Sequence, residues 1–288
     1  MIEIDGSAGE GGGQVIRTGL TLSMLTGIPF RIKNIRAGRK EPGLKNQHLA
    51  AVKASAEICN ASVRGAELGS RQLIFNPEKV NPGEYSFHIH TAGSASLVLQ
   101  TLFLPLAHAE RKSRIQITGG THVRWSPNFH YLSFQWLPVM QKIGYRADLD
   151  LVRCGYYPRG GGQISAKIEP VHQISSLQIA NRGDLLEISG LSAASNLPLD
   201  IARRQRSRLV SRLGSRYRLS DIKCSDLPGF GKGTFMTAVI KFQETRAVFS
   251  SLGEKGKRAE IVADELVDQV VKCHSGTAIW DPYLADQI

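Results

Sequence analysis

The chain has 288 residues, of which 42% are hydrophobic and 21% charged, a balance typical of a globular protein rather than a disordered one. Its apolar runs fall short of the roughly 18 residues that a membrane span requires. The start reads as a strand rather than a signal peptide, and the four scattered cysteines form no CxxC pair. These features predict a cytoplasmic protein with no membrane contact, disulfide framework or zinc knuckle. The net charge of +11 favours a polyanionic partner such as RNA, DNA or a nucleotide.

The first part of the chain predicts the element order β-α-β-α-β-β. Alternating hydrophobicity indicates strands, and apolar residues three and four apart indicate helices. The predicted elements are a strand at 2–5, a helix at 14–25, a strand at 30–35, a helix at 44–59, and strands at 62–67 and 71–75. The same order recurs with a strand at 85–90, a helix at 94–109, a strand at 114–118, a helix at 127–143, and strands at 146–152 and 163–168. Because the two copies share little identity, the repeat is supported by element order alone.

The pattern changes from about residue 177. The elements predicted there are a strand at 184–188, an arginine-rich helix at 200–213, strands at 216–222, 235–242 and 247–251, and a helix at 258–271. We predict an α/β (α+β) fold in which repeated β-α-β-α-β-β units form a large domain, residues 1–178 continued by 277–288. A smaller α/β domain, residues 179–276, is inserted into it.

The last residues predict the start of another helix. Asp281 is suited to be an N-cap and Pro282 to be the first helical residue. Six residues follow, too few for a stable isolated helix. We interpret the third repeat as incomplete and the chain as truncated; a frayed C-terminus is the alternative.

A glycine-rich loop, GSAGEGGG at residues 6–13, joins the first strand to the first helix. Glycines let a backbone approach a ligand closely, and a helix N-terminus offers free N–H groups to an anion. Glu10 is the only carboxylate in the loop and is suited to a divalent cation on a triphosphate. Arg17 follows one helical turn later. A tight turn with a solvated glutamate is an equally good interpretation.

A basic segment follows the second strand, IRAGRKEPGLKNQHL at residues 35–49. Arg36 and Arg39 have the fork geometry that binds phosphate with two hydrogen bonds. Gln47 and His48 lie in the first turns of the next helix, where the imidazole is suited to phosphate contact or proton transfer. A solvated basic loop is the alternative.

Two further stretches are candidates for nucleotide contact. Gln100 interrupts an apolar helix, and a buried amide there needs a partner, which a ligand could provide. From the residues alone, a satisfied core glutamine or one on an exposed stripe is the preferred interpretation. Trp125 and Pro127 lie in the loop GGTHVRWSP and are suited to form an apolar wall against a base, although Trp125 suits surface packing equally well. The glycine-rich loops GYYPRGGG and LPGFGKG have no assigned role. The arginines of helix 200–213 fit a solvated face better than a nucleic-acid contact.

Taken together, these motifs resemble the RNA 3′-terminal phosphate cyclase family. The matching stretches are DGSAGEGGGQVIRT, IRAGRKEPGLKNQHL, GAELGS, SLVLQT, GGTHVRWSP, GYYPRGGG and YLADQ, which run from residue 5 to residue 287. The resemblance implies three β-α-β-α-β-β units with a small α/β domain inserted in the third.

The resemblance also implies an ATP-dependent reaction on RNA 3′-phosphate ends. A histidine attacks the α-phosphate of ATP, giving a histidine–AMP intermediate and pyrophosphate, and the AMP then passes to the RNA 3′-phosphate. The adjacent 2′-OH displaces AMP and leaves a 2′,3′-cyclic phosphate. Mg²⁺ or Mn²⁺ would neutralise the polyphosphate. A homodimer is left open.

The same resemblance assigns roles to single residues. Glu10 matches the metal-side carboxylate, and Gln100 matches an ATP contact. Pro127 and Tyr283 match the pair that sandwiches adenine. The remaining nucleotide-binding positions are Leu284, Ala285, Asp286 and Gln287. The phosphate- and RNA-binding positions are Arg17, Arg36, Arg39, Gln47 and His48.

The sequence departs from the family at the nucleophile. In the family the adenylylated histidine follows YLADQ, so we expect it beyond Ile288, and none of the eight histidines present matches it. His122 stands where the family more often has an acidic residue. The chain as given would then be inactive. The alternatives are a non-catalytic RNA-binding relative of ribosome assembly and an enolpyruvyl transferase. The retained ATP-pocket residues argue against the first alternative, and the segments YLADQ and RAGRKEPGLKNQHL argue against the second.

Overall fold

The structure, a computed structural model, describes residues 1–9 and 11–285. Its first unit has the predicted element order, with β1 pairing parallel to β2 and the two remaining pairings antiparallel. The strands form one sheet in the order β1-β2-β4-β3. The elements are β1 (Ile2–Asp5), α1 (Gln14–Thr26), β2 (Phe30–Lys33), α2 (Asn46–Ile58), β3 (Ser62–Arg64) and β4 (Leu73–Asn76). Strands β2 and β3 end earlier than predicted because Asn34 and Gly65 have positive φ angles, which extended backbone excludes.

The second unit repeats this topology. Its sheet has the order β5-β6-β8-β7, with one parallel and two antiparallel pairings, so the predicted repeat is confirmed. The elements are β5 (Glu84–His88), α3 (Ala95–Ala107), β6 (Ser113–Gly119), α4 (Phe129–Tyr131), a π-helical turn (Leu132–Trp136), α5 (Leu137–Lys142), β7 (Ala147–Arg153) and β8 (Gly162–Ile168).

The helix predicted at 127–143 is shorter and irregular. Asn128 caps its start by accepting a hydrogen bond from the Tyr131 backbone N–H at 2.8 Å. Pro138 lies in the first turn of α5 and has no N–H to donate to the preceding turn. The π-helical turn lies directly before it, where the regular bonding pattern is interrupted.

The third sheet has the order β10-β9-β11-β12. Its central strand β9 extends to Ser195, well beyond the predicted 184–188, because pairing on both sides compensates for the low strand propensity of its small residues. The elements are β9 (Leu185–Ser195), α6 (Asp200–Leu213), β10 (Leu219–Asp226), β11 (Gly233–Phe242), β12 (Arg246–Leu252) and α7 (Ala259–Ser275). A last short helix, α8 (Pro282–Ala285), follows.

Two large apolar clusters lie against these sheets, and a small third one contains Tyr156 and Phe235. The larger packs α1, α2 and α3 between the first two sheets and includes Phe30, Phe75 and Phe103. The second lies between the third sheet and helices α6 and α7, with Met236 and Leu266 at its centre. Burial of such side chains contributes about 1.5–3 kcal/mol each, so each cluster is a substantial source of stability.

Most arginines of α6 form contacts with residues of α7 and the third sheet, which belong to the same unit as α6. Arg204 and Arg208 donate two hydrogen bonds each to Glu260 and Asp264 of α7, respectively, and Arg212 also reaches Asp264. The arginine-rich face is thus largely a helix–helix contact. Helices within the described part of the chain are all too short or too polar to span a lipid bilayer.

Candidate active site

The glycine-rich loop meets the start of α2 at Gly13. The His48 imidazole packs directly on this glycine. A β-carbon at residue 13 would overlap Nε2 and lie 2.7 Å from Cδ2, and it would lie 3.0 Å from Arg17 Nη1. Only glycine fits this contact. The first turns of α1 and α2 therefore bring Arg17 and His48 together.

The start of α3 joins the same group. Gln47 Oε1 accepts a hydrogen bond from the backbone N–H of Ser94 at 3.0 Å, and Ser94 directly precedes α3. On the other side, a β-carbon at Gly12 would lie 3.5 Å from Arg39 Nη2. Three helix N-termini and two guanidinium groups therefore converge, which is an arrangement that attracts anions.

His48 is neutral at physiological pH. Its Nδ1 accepts a hydrogen bond from the Lys45 backbone N–H at 3.1 Å, so the neutral ring carries its proton on Nε2. Burial, followed by the charges of Arg17, Arg36 and Lys45, lowers the pKa of His48 to about 3. The imidazole is therefore a hydrogen-bond donor directed at the glycine-rich loop and not a cation.

Arg17 supplies the buried positive charge of this group. Burial lowers the pKa of its guanidinium to about 10, which still leaves it charged near pH 7. Its Nη2 lies 3.4 Å from Gln14 Oε1, a neutral partner. Because a desolvated cation is stabilised by an anion, this group is suited to a phosphate.

Arg36 has a different position from Arg17 and Arg39. Its Nη1 donates to the carbonyl oxygens of Glu41 and Gly43 at 2.8 and 3.0 Å, and its backbone has a left-handed φ of 53°. Burial and the nearby Arg39 charge lower its pKa. Arg36 thus braces the basic loop that carries Arg39.

Gln100 lies in the second turn of α3, where Thr21 of α1 donates to the carbonyl oxygen of the neighbouring Thr101 at 2.9 Å. Both Gln100 side-chain atoms, Oε1 and Nε2, are buried and lack a hydrogen-bond partner among the described residues. An unsatisfied buried amide costs about 1–3 kcal/mol. A bound ligand is one way to satisfy it.

A second group of predicted residues lines a cleft of about 230 Å³. Pro127 and Tyr283 both lie on its wall, and β12 and α7 of the third sheet layer form the opposite side. The loop of Pro127 adjoins the start of α3, because the Ala95 N–H donates to the Gly120 carbonyl at 2.8 Å. The cleft and the anion-attracting group are therefore connected through α3.

Asp281 fixes the position of Tyr283. Its Oδ1 accepts hydrogen bonds from the Tyr131 hydroxyl at 2.6 Å and from the backbone N–H groups of Tyr283 and Leu284 at 3.1 and 3.2 Å. The predicted N-cap at Asp281 is thus confirmed. Burial raises the pKa of this carboxyl despite those bonds, and the Tyr131 and Tyr283 rings meet edge to face at 5.4 Å.

The remaining predicted positions divide into two sets. Leu284 is fully buried in the larger apolar cluster, and Ala285 is exposed. Glu10, Asp286 and Gln287 lie outside the described residues. Within the described residues, no group of three or more His, Cys, Asp or Glu side chains is arranged to hold a metal ion.

Sequence patterns did not indicate the far side of the cleft. Arg124 pairs with Glu254, and Lys257 lies 2.8 Å from Glu265, with all four side chains on the cleft wall. Arg124 lies 130 positions before Glu254 in the chain, whereas the other three residues are close together in sequence. Within the sequence, the one local indication of this side of the cleft was Arg124, the cation beside Trp125.

The fold and the site define an α/β protein of repeated β-α-β-α-β-β units with an anion-attracting group at its helix N-termini. A sequence model of the RNA 3′-terminal phosphate cyclase family matches residues 8–288. An RNA 3′-terminal phosphate cyclase from Ralstonia nicotianae is 42% identical over all of this chain and 82% of its own length. An RNA 3′-terminal phosphate cyclase from Koribacter versatilis is also 42% identical, over all of this chain and 81% of its own length.

The chain therefore belongs to the RNA 3′-terminal phosphate cyclase family. Among solved structures, an enolpyruvyl transferase, NikO from Streptomyces tendae, aligns with 63% of this chain and 32% of its own at 16% identity and a TM-score of 0.33. That similarity is too weak to bear on fold or function.

Proposed function

We propose that this chain provides the ATP- and RNA-binding framework for conversion of an RNA 3′-terminal phosphate to a 2′,3′-cyclic phosphodiester. Family membership supports the reaction class. The observation that carries the proposal is the contact of His48 and Arg17 on Gly13. It unites a buried cation, a neutral donor and a helix N-terminus around one glycine, where a phosphate would be bound.

In this proposal each residue of the anion-attracting group has its own role. Arg17 and Arg39 would bind phosphate oxygens, and neutral His48 would donate from Nε2. Gln47 positions the start of α3, and Arg36 holds the loop of Arg39. A bound phosphate would also raise the pKa of His48, because a negative charge favours the imidazolium.

ATP fits the two connected parts of the site. The unsatisfied Gln100 amide and the glycine-only contact at Gly13 support a ligand near the helix starts. The apolar ring of Pro127 and the Tyr283 ring support a base in the cleft. When bound, ATP supplies an activated adenylyl group. Glu10, Asp286 and Gln287 keep their predicted roles toward Mg²⁺ or Mn²⁺ and the nucleotide.

We propose further that the nucleophilic histidine is not among the eight in this sequence. Within residues 1–9 and 11–285, no histidine lines the cleft that holds Pro127 and Tyr283. His122 and His130 are enclosed, with His122 Nε2 and His130 Nδ1 2.9 Å apart. His48 is directed at the glycine-rich loop. These positions support an attacking histidine beyond Ile288.

The domain division is also a proposal. The unit at 179–276 has an apolar cluster of its own, between its sheet and helices α6 and α7, which supports its insertion between 1–178 and 277–288. Its Val248 packs into the larger cluster, where the two units meet. The hydrogen bond from Tyr131 to Asp281 and burial of Leu284 in the larger cluster support assigning the last segment to the large domain. A homodimer and a cytoplasmic location remain predictions from the sequence.

Covalent labelling with ATP labelled at the α-phosphate tests the proposal. We expect the chain to bind ATP with Mg²⁺ but to form no acid-labile adduct. Arg17→Ala should weaken ATP binding at least tenfold, since it removes a charge-assisted contact, whereas the exposed Arg111→Ala should not. An adduct would put the nucleophile within residues 1–288. No ATP binding would favour the non-catalytic RNA-binding alternative.

A further inference from the structure

Three loops form one continuous surface beside the cleft. The Thr121 N–H donates to the Gly155 carbonyl at 2.9 Å, which joins the first loop to the second. The Cys154 N–H donates to the Pro228 carbonyl at 2.7 Å, which joins the second to the third. We call this surface the loop face, and it consists of residues 121–128, 155–162 and 227–233.

Each loop presents one exposed aromatic ring. Trp125 is 88% exposed, Tyr157 82% and Phe230 54%. The Phe230 ring also lies over Gly161, where a β-carbon would come within 2.6 Å of it. Single exposed apolar side chains are common, but three from adjoining loops make a patch of the kind that marks an interaction site.

The loop face is also basic. Its three segments contain the cations Arg124, Arg159 and Lys232 and no aspartate or glutamate. The Arg124 guanidinium lies 6.0 Å from the Trp125 ring centroid and pairs with Glu254. Arg159 and Lys232 are exposed and have no ion-pair partner within the part of the chain that the structure describes. Aromatic rings interleaved with cations match single-stranded nucleic acid, whose bases stack and whose phosphates are anionic.

The backbone of Trp125 supports a functional position. Its φ of 57° is left-handed, a conformation that costs free energy for a bulky residue and that occurs preferentially at functional sites. Pro127, two residues later, lines the cleft. The loop face therefore continues directly from the proposed nucleotide site.

We propose that the loop face binds the RNA strand upstream of its 3′ end, with bases stacked on Trp125, Tyr157 and Phe230 and phosphates beside Arg159 and Lys232. This inference rests on the proposed function, which supplies the RNA. Stacking on aromatic rings accepts any base, so the surface contributes affinity without sequence preference.

Fluorescence anisotropy with a labelled RNA of about ten nucleotides ending in a 3′-phosphate tests this. Trp125→Ala and Tyr157→Ala should each weaken binding about tenfold, and Arg159→Glu should weaken it and lower its salt dependence. Arg111→Glu is the matched control, because Arg111 is also exposed but precedes β6, at the end of the strand away from the loop face.

Tryptophan emission provides a second measurement. Trp136 is 3% exposed and Trp280 is packed against the larger cluster, so stacked RNA should quench mainly Trp125. Trp125→Phe should retain RNA binding, because phenylalanine also stacks, and lose most of the quench. Quenching that persists in Trp125→Phe would overturn the proposal.

A dinucleotide with a 3′-phosphate separates this surface from the proposed active site. Tyr157→Ala and Arg159→Glu, whose side chains lie outside the cleft lining, should bind the dinucleotide like the wild type, whereas Arg17→Ala should lose it. Unchanged affinity of the variants for the long RNA would overturn the loop face alone. Failure of the wild-type chain to bind either RNA would overturn both proposals. Unchanged RNA affinity with loss of self-association in the variants would instead identify a second copy of the chain as the occupant.

Discussion

The two repeats share one strand order but differ in the loop that follows their second strand. In the first repeat this loop is the basic segment after β2, which carries Arg36 and Arg39. In the second repeat it is the segment after β6, which carries Trp125 and Pro127. The first repeat therefore contributes positive charge to the site, and the second contributes the rings of a tryptophan and a proline. A duplicated topology thus provides two equivalent sheet edges, and the loop sequences determine which part of a nucleotide each edge suits.

The helix after each of these loops begins with a buried histidine. His48 faces cations, and burial together with their charge lowers its pKa to about 3. Burial alone lowers the pKa of His130 to about 4, and the pKa of its partner His122 is also well below the usual value through burial and His130. Burial is thus the main reason that both equivalent positions hold neutral imidazoles, and at His48 the nearby cations add to it.

Acid unfolding should give the largest effect and tests both histidine environments. Because the folded-state pKa values are lowered, the unfolded chain binds protons first, and stability is lost as pH falls from about 6.5 toward 4. The loss approaches roughly 1.4 kcal/mol per pH unit for each histidine. Denaturant unfolding at stepped pH should show a shallower dependence for His130→Gln and His48→Gln.

The exposed His172→Gln is the control for this experiment and should leave the pH dependence unchanged. Adding ATP should change the pH dependence that His48 contributes and leave that of His130 unchanged, since a bound phosphate acts on His48 and not on His130. Equal slopes in all variants would mean that the buried imidazoles do not control acid stability.

Gly13→Ala should have the next largest effect, confined to the first repeat. A β-carbon there overlaps the His48 ring, so we expect a loss of about 1–3 kcal/mol of unfolding free energy and of most ATP affinity. Gly38→Ala is the matched control, because a β-carbon there would have no atom within 4 Å in the described part of the chain apart from its own chain neighbours. Calorimetry of unfolding and of ATP binding measures both effects. Equal behaviour of the two variants would show that the contact at Gly13 is not required.

The sequence predicted those parts of the molecule that local signals determine. Helix α6 was predicted without error, since its pattern and bounds are local, and the Asp281 cap was predicted from two adjacent residues. The unsatisfied amide of Gln100 was not among them, since its apolar surroundings favoured a satisfied core glutamine or one on an exposed stripe, and only the resemblance made it an ATP contact. The extension of β9 depends instead on two distant partner strands, and the π-helical turn depends on Pro138 within a packed segment.

The two sides of the cleft differ in the same way, because only one of them could be predicted from the sequence. Pro127 and Tyr283 were predicted through family motifs, but Lys257 and Glu265 reach the cleft only because α7 packs beside β12. Such contacts depend on the tertiary arrangement of elements far apart in sequence, which periodicity does not encode. The role of Arg36 as a brace was likewise invisible, because phosphate-binding and loop-bracing arginines look alike in a sequence.

Tyr131→Phe should have an intermediate effect, on the second repeat only. It removes the 2.6 Å hydrogen bond to Asp281 and leaves a buried carboxylate with one fewer donor, at a cost of about 1–3 kcal/mol. Because Asp281 caps the helix of Tyr283, ATP affinity should fall while Arg17-dependent phosphate binding persists. Thermal unfolding and binding of ATP and pyrophosphate measure this. A parallel loss of pyrophosphate binding would show that the two repeats do not act separately.

Arg204→Ala should have the smallest effect and extends the comparison to the third sheet layer. Its pair with Glu260 is exposed on both sides, and such pairs contribute little because water and salt screen them. We expect a slightly lower thermal midpoint that approaches the wild-type value at high salt, and unchanged RNA affinity. Arg159→Glu on the loop face is the contrasting variant, since Arg159 has no such partner among residues 1–9 and 11–285. If Arg204→Ala weakened RNA binding as much as Arg159→Glu, the arginines of α6 would be an RNA contact rather than a link between helices.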